Sequence, residues 1–267
     1  MGELTGLRAL VTGGSSGIGA CVARELAARG ADLVLTARRK DALTEVAASC
    51  AGVHVDVIAC DLGKPEGAQQ VWAAATAGGP IDIVINNAGF GTLHPFAHTE
   101  WTRDAEMIEL NMTALVELSK RFVAGRTQRG YLVNISSIGA YQSVPNMAVY
   151  AASKAFVRNF TEALHDELRG SPVSATCICP GGTTTAFHAA AGAGNYGWLA
   201  NATMMSAEAV AQITVRAMLS GKRTVVPGVP NKIAAWSVRL VPRRIASWLA
   251  GRVLGTPRAE ALPARAA

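Results

Sequence analysis

Short runs of consecutive apolar residues alternate along the chain with longer stretches in which apolar positions recur every three or four residues. The short runs predict strands at Arg8–Thr12, Asp32–Thr36, His54–Ala59, Ile81–Asn86, Tyr131–Ser136, Ser174–Cys179 and Thr224–Val226. The longer stretches predict helices near 17–29, 39–50, 66–77, 103–125, 150–169 and 207–219. Strands that read as unbroken apolar runs are buried on both faces, and strict strand–helix alternation implies right-handed crossovers. The expected fold is a doubly wound α/β domain: a seven-stranded parallel sheet with helices on both faces. Such open sheets bind ligands at the carboxyl ends of their strands.

With 267 residues, half of them hydrophobic, the chain can bury one substantial core. It has no internal repeat, no apolar signal core before the first strand, and no run near the roughly 18 apolar residues of a spanning helix. The five cysteines follow no metal-ligand spacing. They read as reduced, small buried side chains in a cytoplasmic protein, and no metal is expected. The net charge of +6 is unevenly divided. Residues 221–267 hold nine Lys/Arg against the single acid Glu260, so the tail carries +8 and residues 1–220 carry −2. The basicity is not spread over a folded face, which argues against a nucleic-acid partner.

The chemistry-bearing residues fall at the predicted strand ends. The first strand runs into Gly13-Gly14-Ser15-Ser16-Gly17-Ile18-Gly19 and then a helix. Glycines allow a sharp turn and a close backbone approach, and a helix N-terminus offers free N–H groups, a combination that cradles a pyrophosphate. The second strand ends without the carboxylate that would grip a ribose 2′-hydroxyl; Ala37 is followed by Arg38, Arg39 and Lys40. Arginine can take a 2′-phosphate bidentately, so NADP(H) is expected over NAD(H). Asp61 and Leu62 follow the third strand, where Asp61 can accept from an adenine amino group or cap a helix. Asn87, Ala88 and Gly89 follow the fourth, and can line a groove without filling it. Tyr150 and Lys154 stand four apart and share a helix face. Ser136 and Ser137 end the preceding strand, and Asn111 lies on the long helix before it.

In this order and at these separations, TGGSSGIG, Asp61, NNAG, Asn111, the serine pair, YAASK and Pro180-Gly181 resemble the short-chain dehydrogenase/reductase family, from about Leu4 to Pro230. The resemblance implies a Rossmann-type sheet and hydride transfer between NADP(H) and a carbonyl or alcohol carbon. It makes Tyr150 the general acid/base and Lys154 its electrostatic partner, which also holds the nicotinamide ribose. Ser137 becomes the substrate-polarising hydroxyl and Asn111 a proton-relay residue. Pro180, Gly181, Thr183 and Thr185 would meet the nicotinamide carboxamide. Relatives also imply a homodimer or homotetramer and a mobile lid, here about 186–206.

Phe90, His94, Gln142 and the lid residue Phe187 are expected to line a mostly apolar substrate site, which favours a small hydrophobic ketone, aldehyde or alcohol. A 3-oxoacyl-thioester reductase is the alternative enzyme. A catalytically silent NADP(H) sensor or membrane-surface scaffold is the alternative of another class. Residues 1–230 form the expected catalytic domain. From 231 to 255, Ile233, Trp236, Leu240, Ile245, Trp248, Leu249 and Val253 recur at helical spacing among arginines. They predict two basic amphipathic helices, which pack on the body or a second subunit or lie peripherally on an anionic membrane. Residues 256–267 read as a disordered tail.

Overall fold

The computed structural model describes residues 2–183 and 204–253. Seven strands form one sheet: β1 (Arg8–Thr12), β2 (Asp32–Ala37), β3 (Val55–Ala59), β4 (Ile83–Asn86), β5 (Gly130–Ile135), β6 (Val173–Ile178) and β7 (Thr224–Val225). Their order is β3-β2-β1-β4-β5-β6-β7, and each neighbouring pair is parallel. Seven parallel strands were expected, and seven are found, with ends shifted by a residue or two.

The alternation of side chains along each strand sorts the core into two layers. Ala9 and Val11 of β1, Leu33 and Leu35 of β2, and Ile83 and Ile85 of β4 face one side. There they meet α1 (Gly17–Ala28), α2 (Lys40–Ala48) and a helix here called α7 (Ala207–Leu219). Leu10, Val34, Val84 and Leu132 face the other side, against α3 (Gly67–Ala77) and α5 (Ala114–Ala124). A helix α4 (Trp101–Ile108) precedes α5, and α6 (Ala148–Glu167) packs on β5 and β6.

The helix expected over 103–125 is not uniform. α4 and α5 are joined by a π-helical turn, Glu109–Thr113. Such a turn widens the helix by one residue and often marks a functional position. Here it carries Asn111, which is fully buried.

The two ends of the sheet differ in kind. At the amino end, Arg8 pairs with Asp56 at 2.5 Å and Arg126 with Asp82 at 2.6 Å, closing the edge with ion pairs. At the carboxyl end the strands stop at Thr12, Ala37, Asn86, Ile135 and Ile178, and small or polar loops follow. The chain reverses its direction of winding between β1 and β4, so the crevice lies at their ends.

Beyond β7 come α8 (Val229–Ser237), which starts two residues earlier than the expected boundary at 231, and α9 (Arg243–Val253). The sequence reading allowed their apolar stripe to pack on the body. Instead Ala235, Ala246 and Ala250 turn inward, while Ile233, Trp236, Leu240, Ile245, Trp248 and Leu249 are exposed.

Candidate active site

The site is assembled from the carboxyl ends of β1, β2, β4, β5 and β6. After β1, the backbone takes positive φ at Gly13 (66°) and Gly17 (55°), values that disfavour a side chain. Gly19 permits a close approach of a different kind: a Cβ there would lie 2.3 Å from the Gly13 carbonyl oxygen. Helix α1 therefore presses its first turn onto the loop. Ser16 stands at its N-cap in extended conformation and makes no side-chain capping bond. The first-turn N–H groups that follow suit an anion. Ser15 and Ile18 are half-buried on the same turn.

A hydrogen-bond clamp joins this loop to the end of β4. The Thr12 hydroxyl accepts from the amides of Asn87 and Ala88, each at 3.0 Å, and Asn87 Nδ2 donates to Thr12 O at 3.0 Å. Thr12 was part of the motif as read but not among the expected site residues. Its β-branched hydroxyl at the last strand position was the available signal.

At the end of β2, Arg38, Arg39 and Lys40 are all exposed. No carboxylate pairs with them among the described residues. They open α2, where cations are disfavoured by the helix dipole. Asp61 does not cap a helix: its Oδ1 accepts from the Gly63 amide at 2.9 Å, six residues before α3 begins, with Leu62 buried beside it.

The candidate reactive side chains come from α6 and the end of β5. Lys154 is buried, and its Nζ donates to Ile135 O at 2.9 Å. Burial pulls its pKa down to about 8, with the nearby Cys177 and Cys179 thiols acting the other way. Lys154 Nζ lies 5.9 Å from the centre of the Tyr150 ring. Gly91 packs against that ring so closely that a Cβ would sit 2.8 Å from Tyr150 Cδ2. Leu93, Val144, Met147 and Ala151 form an apolar cluster around Tyr150.

The two serines separate by geometry. Ser136 is buried, and its hydroxyl donates to Lys154 O at 2.7 Å, tying β5 to α6. Ser137 caps the 3-10 turn Ile138–Tyr141, its Oγ accepting from the Gly139 amide at 3.1 Å. A Cβ at Gly139 would stand 3.5 Å from Ser137 Oγ and 4.0 Å from Tyr150 Cε1, so hydroxyl and ring flank one small space. Ser137→Ala is expected to lower kcat about 10- to 100-fold with little change in fold. Ser136→Ala is expected to lower thermal stability by about 0.5–1.5 kcal/mol, because it removes a buried hydrogen bond while Lys154 O keeps its helical partner. Steady-state kinetics and melting curves on the two variants check this, and a reversed pattern overturns the distinction.

Asn111 projects from the π-turn toward Gly89, Phe90 and Ser153. Its Nδ2 donates to Phe90 O and Ser153 Oγ, each at 3.0 Å, and its Oδ1 accepts from the Phe90 amide at 3.1 Å. The Ser153 hydroxyl donates to Tyr150 O at 2.8 Å. Gly89 fits between Asn111 and Lys154, its missing Cβ 2.9 Å from Asn111 Oδ1 and 3.3 Å from Lys154 Nζ. Ser153 had no sequence signal beyond lying within the YAASK motif.

Of the expected substrate contacts, the half-buried Phe90 carries the Arg103 guanidinium 3.8 Å over its ring. His94 is exposed, its amide donating to Asn146 O at 2.9 Å, and Gln142 is half-buried beyond the 3-10 turn. Pro180 O accepts from the Ile138 amide at 2.8 Å, tying the β6 end to the serine turn. Gly181 leaves no room for a side chain, since a Cβ would lie 2.4 Å from Asn231 Oδ1. Thr183 is buried and bridges to Met205. Thr185, Phe187 and nearly all of the expected lid lie outside the described residues.

The family model of the short chain dehydrogenases matches residues 8–196. The ketoacyl reductase HetN of Nostoc sp. is 33% identical over 186 residues, covering 68% of this chain and 65% of that protein. A structure from work on 7beta-hydroxysteroid dehydrogenase stereoselectivity superposes with a TM-score of 0.82 at 25% identity, over 94% of this chain and 99% of that one. A short-chain dehydrogenase from Sphingobium yanoikuyae, in complex with NADPH, gives 0.77 at 28% identity, over 97% and 99%.

Proposed function

This chain belongs to the short-chain dehydrogenase/reductase family, and we propose that it is an NADP(H)-dependent reductase of hydrophobic ketones or aldehydes, or a dehydrogenase of the corresponding alcohols. The observation that carries the reading is that the Ser137 hydroxyl and the Tyr150 ring flank one small space at Gly139, with Lys154 Nζ 5.9 Å from the centre of that ring.

The residues at the crevice fit a dinucleotide. The glycine turn and the N-terminus of α1 would hold its pyrophosphate, and Asp61 and Leu62 its adenine. The exposed pair Arg38 and Arg39 would hold a 2′-phosphate. Asn87, Ala88, Lys154, Pro180, Gly181 and Thr183 would flank the nicotinamide half. When bound, the cofactor supplies the hydride that reaches the carbonyl carbon.

The protein's own residues manage the oxygen. The Ser137 hydroxyl would hydrogen-bond the carbonyl oxygen and orient it. The Tyr150 hydroxyl would give it a proton as negative charge develops, or take one back in the oxidation direction. A free tyrosine, with a pKa near 10, is a poor proton acceptor at neutral pH, and the nearby Lys154 ammonium favours the phenolate. Asn111, assigned a relay role by resemblance, has its amide committed to Phe90 and Ser153. In this reading it holds the Gly89–Phe90 loop and the second turn of α6 in register.

The apolar cluster of Leu93, Val144 and Met147 beside Tyr150 supports a hydrophobic substrate. A 3-oxoacyl thioester is the second reading, supported by the likeness to a ketoacyl reductase and by the basic tail, which suits an acidic carrier. A panel of ketones and 3-oxoacyl thioesters, followed by NADPH and NADH oxidation, separates the two. Activity on neither class refutes the proposal. Arg38→Ala is expected to raise KM for NADPH about 10- to 100-fold while leaving NADH nearly unchanged. Equal losses for both cofactors would refute the 2′-phosphate assignment.

A further inference from the structure

We infer that the outward face of α8 and α9 is a docking surface for an anionic phospholipid bilayer, set beside the mouth of the active site. Two rows of bulky apolar residues stand in solvent. On α8 and the turn after it, Val229, Ile233, Trp236 and Leu240 are 59–70% exposed; on α9, Ile245, Trp248 and Leu249 are 44–53% exposed. Their spacing of three and four residues keeps each row on one helix side. Exposed apolar residues concentrated in this way mark an interaction surface.

The surrounding charge is of one sign. Lys232, Arg239, Arg243, Arg244 and Arg252 are exposed and enter no ion pair among the described residues, and no acidic residue occurs between 221 and 253. The Arg252 guanidinium lies 4.1 Å over the Trp248 ring, which brings a cation and an interfacial aromatic together. A second copy is a poor occupant: a two-fold interface sets a patch against itself, and these cations would face their own equivalents with no acid between them. A bilayer satisfies both features, with anionic headgroups for the cations and an acyl boundary for the apolar rows. No described helix is long and apolar enough to cross a membrane, so the surface lies on the lipid.

The position of the patch is fixed by the fold. Asn231, on the inner side of α8, is buried, donates to Pro227 O at 3.1 Å and fills the space left by Gly181. Helix α8 also contacts the 3-10 turn that Ser137 caps. Lipid bound at α8 would therefore lie next to the catalytic space, and a lipid-dissolved carbonyl compound would arrive at its entrance. Lipid binding itself is independent of the reductase reading; only this use of it rests on that reading.

Sedimentation of the full chain with vesicles tests the proposal. Vesicles containing phosphatidylglycerol should carry the protein down, and phosphatidylcholine vesicles should bind it at least about tenfold less. Arg243→Glu/Arg244→Glu and, separately, Trp236→Ala/Trp248→Ala should each weaken binding to anionic vesicles by about tenfold or more. Both pairs should keep the parent's melting temperature and its turnover of a water-soluble ketone. Absence of parent binding overturns the inference. So does unchanged binding in the tryptophan variant when the arginine variant fails, which would indicate a polyanion such as an acidic protein. A dimer that dissociates in the tryptophan variant would assign the face to a second copy. Loss of turnover in an otherwise lipid-binding parent would count against the reductase reading alone.

Discussion

Tyr150→Phe is expected to lower kcat/KM by about 10³-fold while NADPH binding stays within a few-fold of the parent. The substitution keeps the ring, and with it the contacts to Leu93, Val144, Met147 and Ala151. It also keeps the close fit of Gly91 against the ring face. Only the hydroxyl is lost, so melting temperature should move little, by the equivalent of about 1 kcal/mol. The carbonyl oxygen would then have to take its proton from water, without a positioned donor. Single-turnover oxidation of bound NADPH by a good ketone substrate isolates this step from product release. A variant that turns over at the parent's rate would show that Tyr150 is a packing residue only.

Lys154→Met should lower kcat/KM by about 10²- to 10³-fold and change the pH dependence of both catalysis and stability. In the folded protein, burial pulls the Lys154 pKa to about 8, below its ordinary value of 10.5. Between those values the unfolded chain binds more protons than the folded one, so stability rises with pH across the window. Below about pH 8 the buried ammonium weighs fully against folding. Replacement by methionine should remove the rise in stability between about pH 8 and 10.5 and stabilise the protein at pH 7, with the lost bond to Ile135 O offsetting part of the gain. Catalysis by the parent should lose its lysine contribution as pH passes about 8. Denaturant unfolding at several pH values, with kinetics on both proteins, checks this. An unchanged stability slope in the variant would show that Lys154 is not the buried cation that matters.

Much of the fold was legible because it rests on local periodicity. Unbroken apolar runs such as Arg8–Thr12 and Asp32–Thr36 can satisfy their backbones only in a two-sided sheet, and their alternation with amphipathic helices fixed parallel pairing. The glycine turn was legible for the same reason: Gly13 and Gly17 sit where the chain must take positive φ. The pairing of Tyr150 with Lys154 followed from one helical turn. These features depend on residues near each other in the chain, and physics at that range leaves a periodic trace.

The remainder depended on contacts between distant segments. The resemblance already favoured Ser137 over Ser136, but the physical reason lies in how β5 meets α6: that packing commits Ser136 to Lys154 O and leaves Ser137 at the turn. The π-turn at Asn111 leaves no pattern in the sequence, since its extra residue is stabilised by Phe90 and Ser153, 21 and 42 residues away. The clamp from Thr12 to Asn87 spans 75 residues, and the depressed lysine pKa exists only once the core has closed around Nζ. The tail gives the sharpest contrast. Its helical spacing and charge were plain in the sequence, but which side would face the body was not. The folded chain buries Ala235, Ala246 and Ala250 and leaves the tryptophans outside.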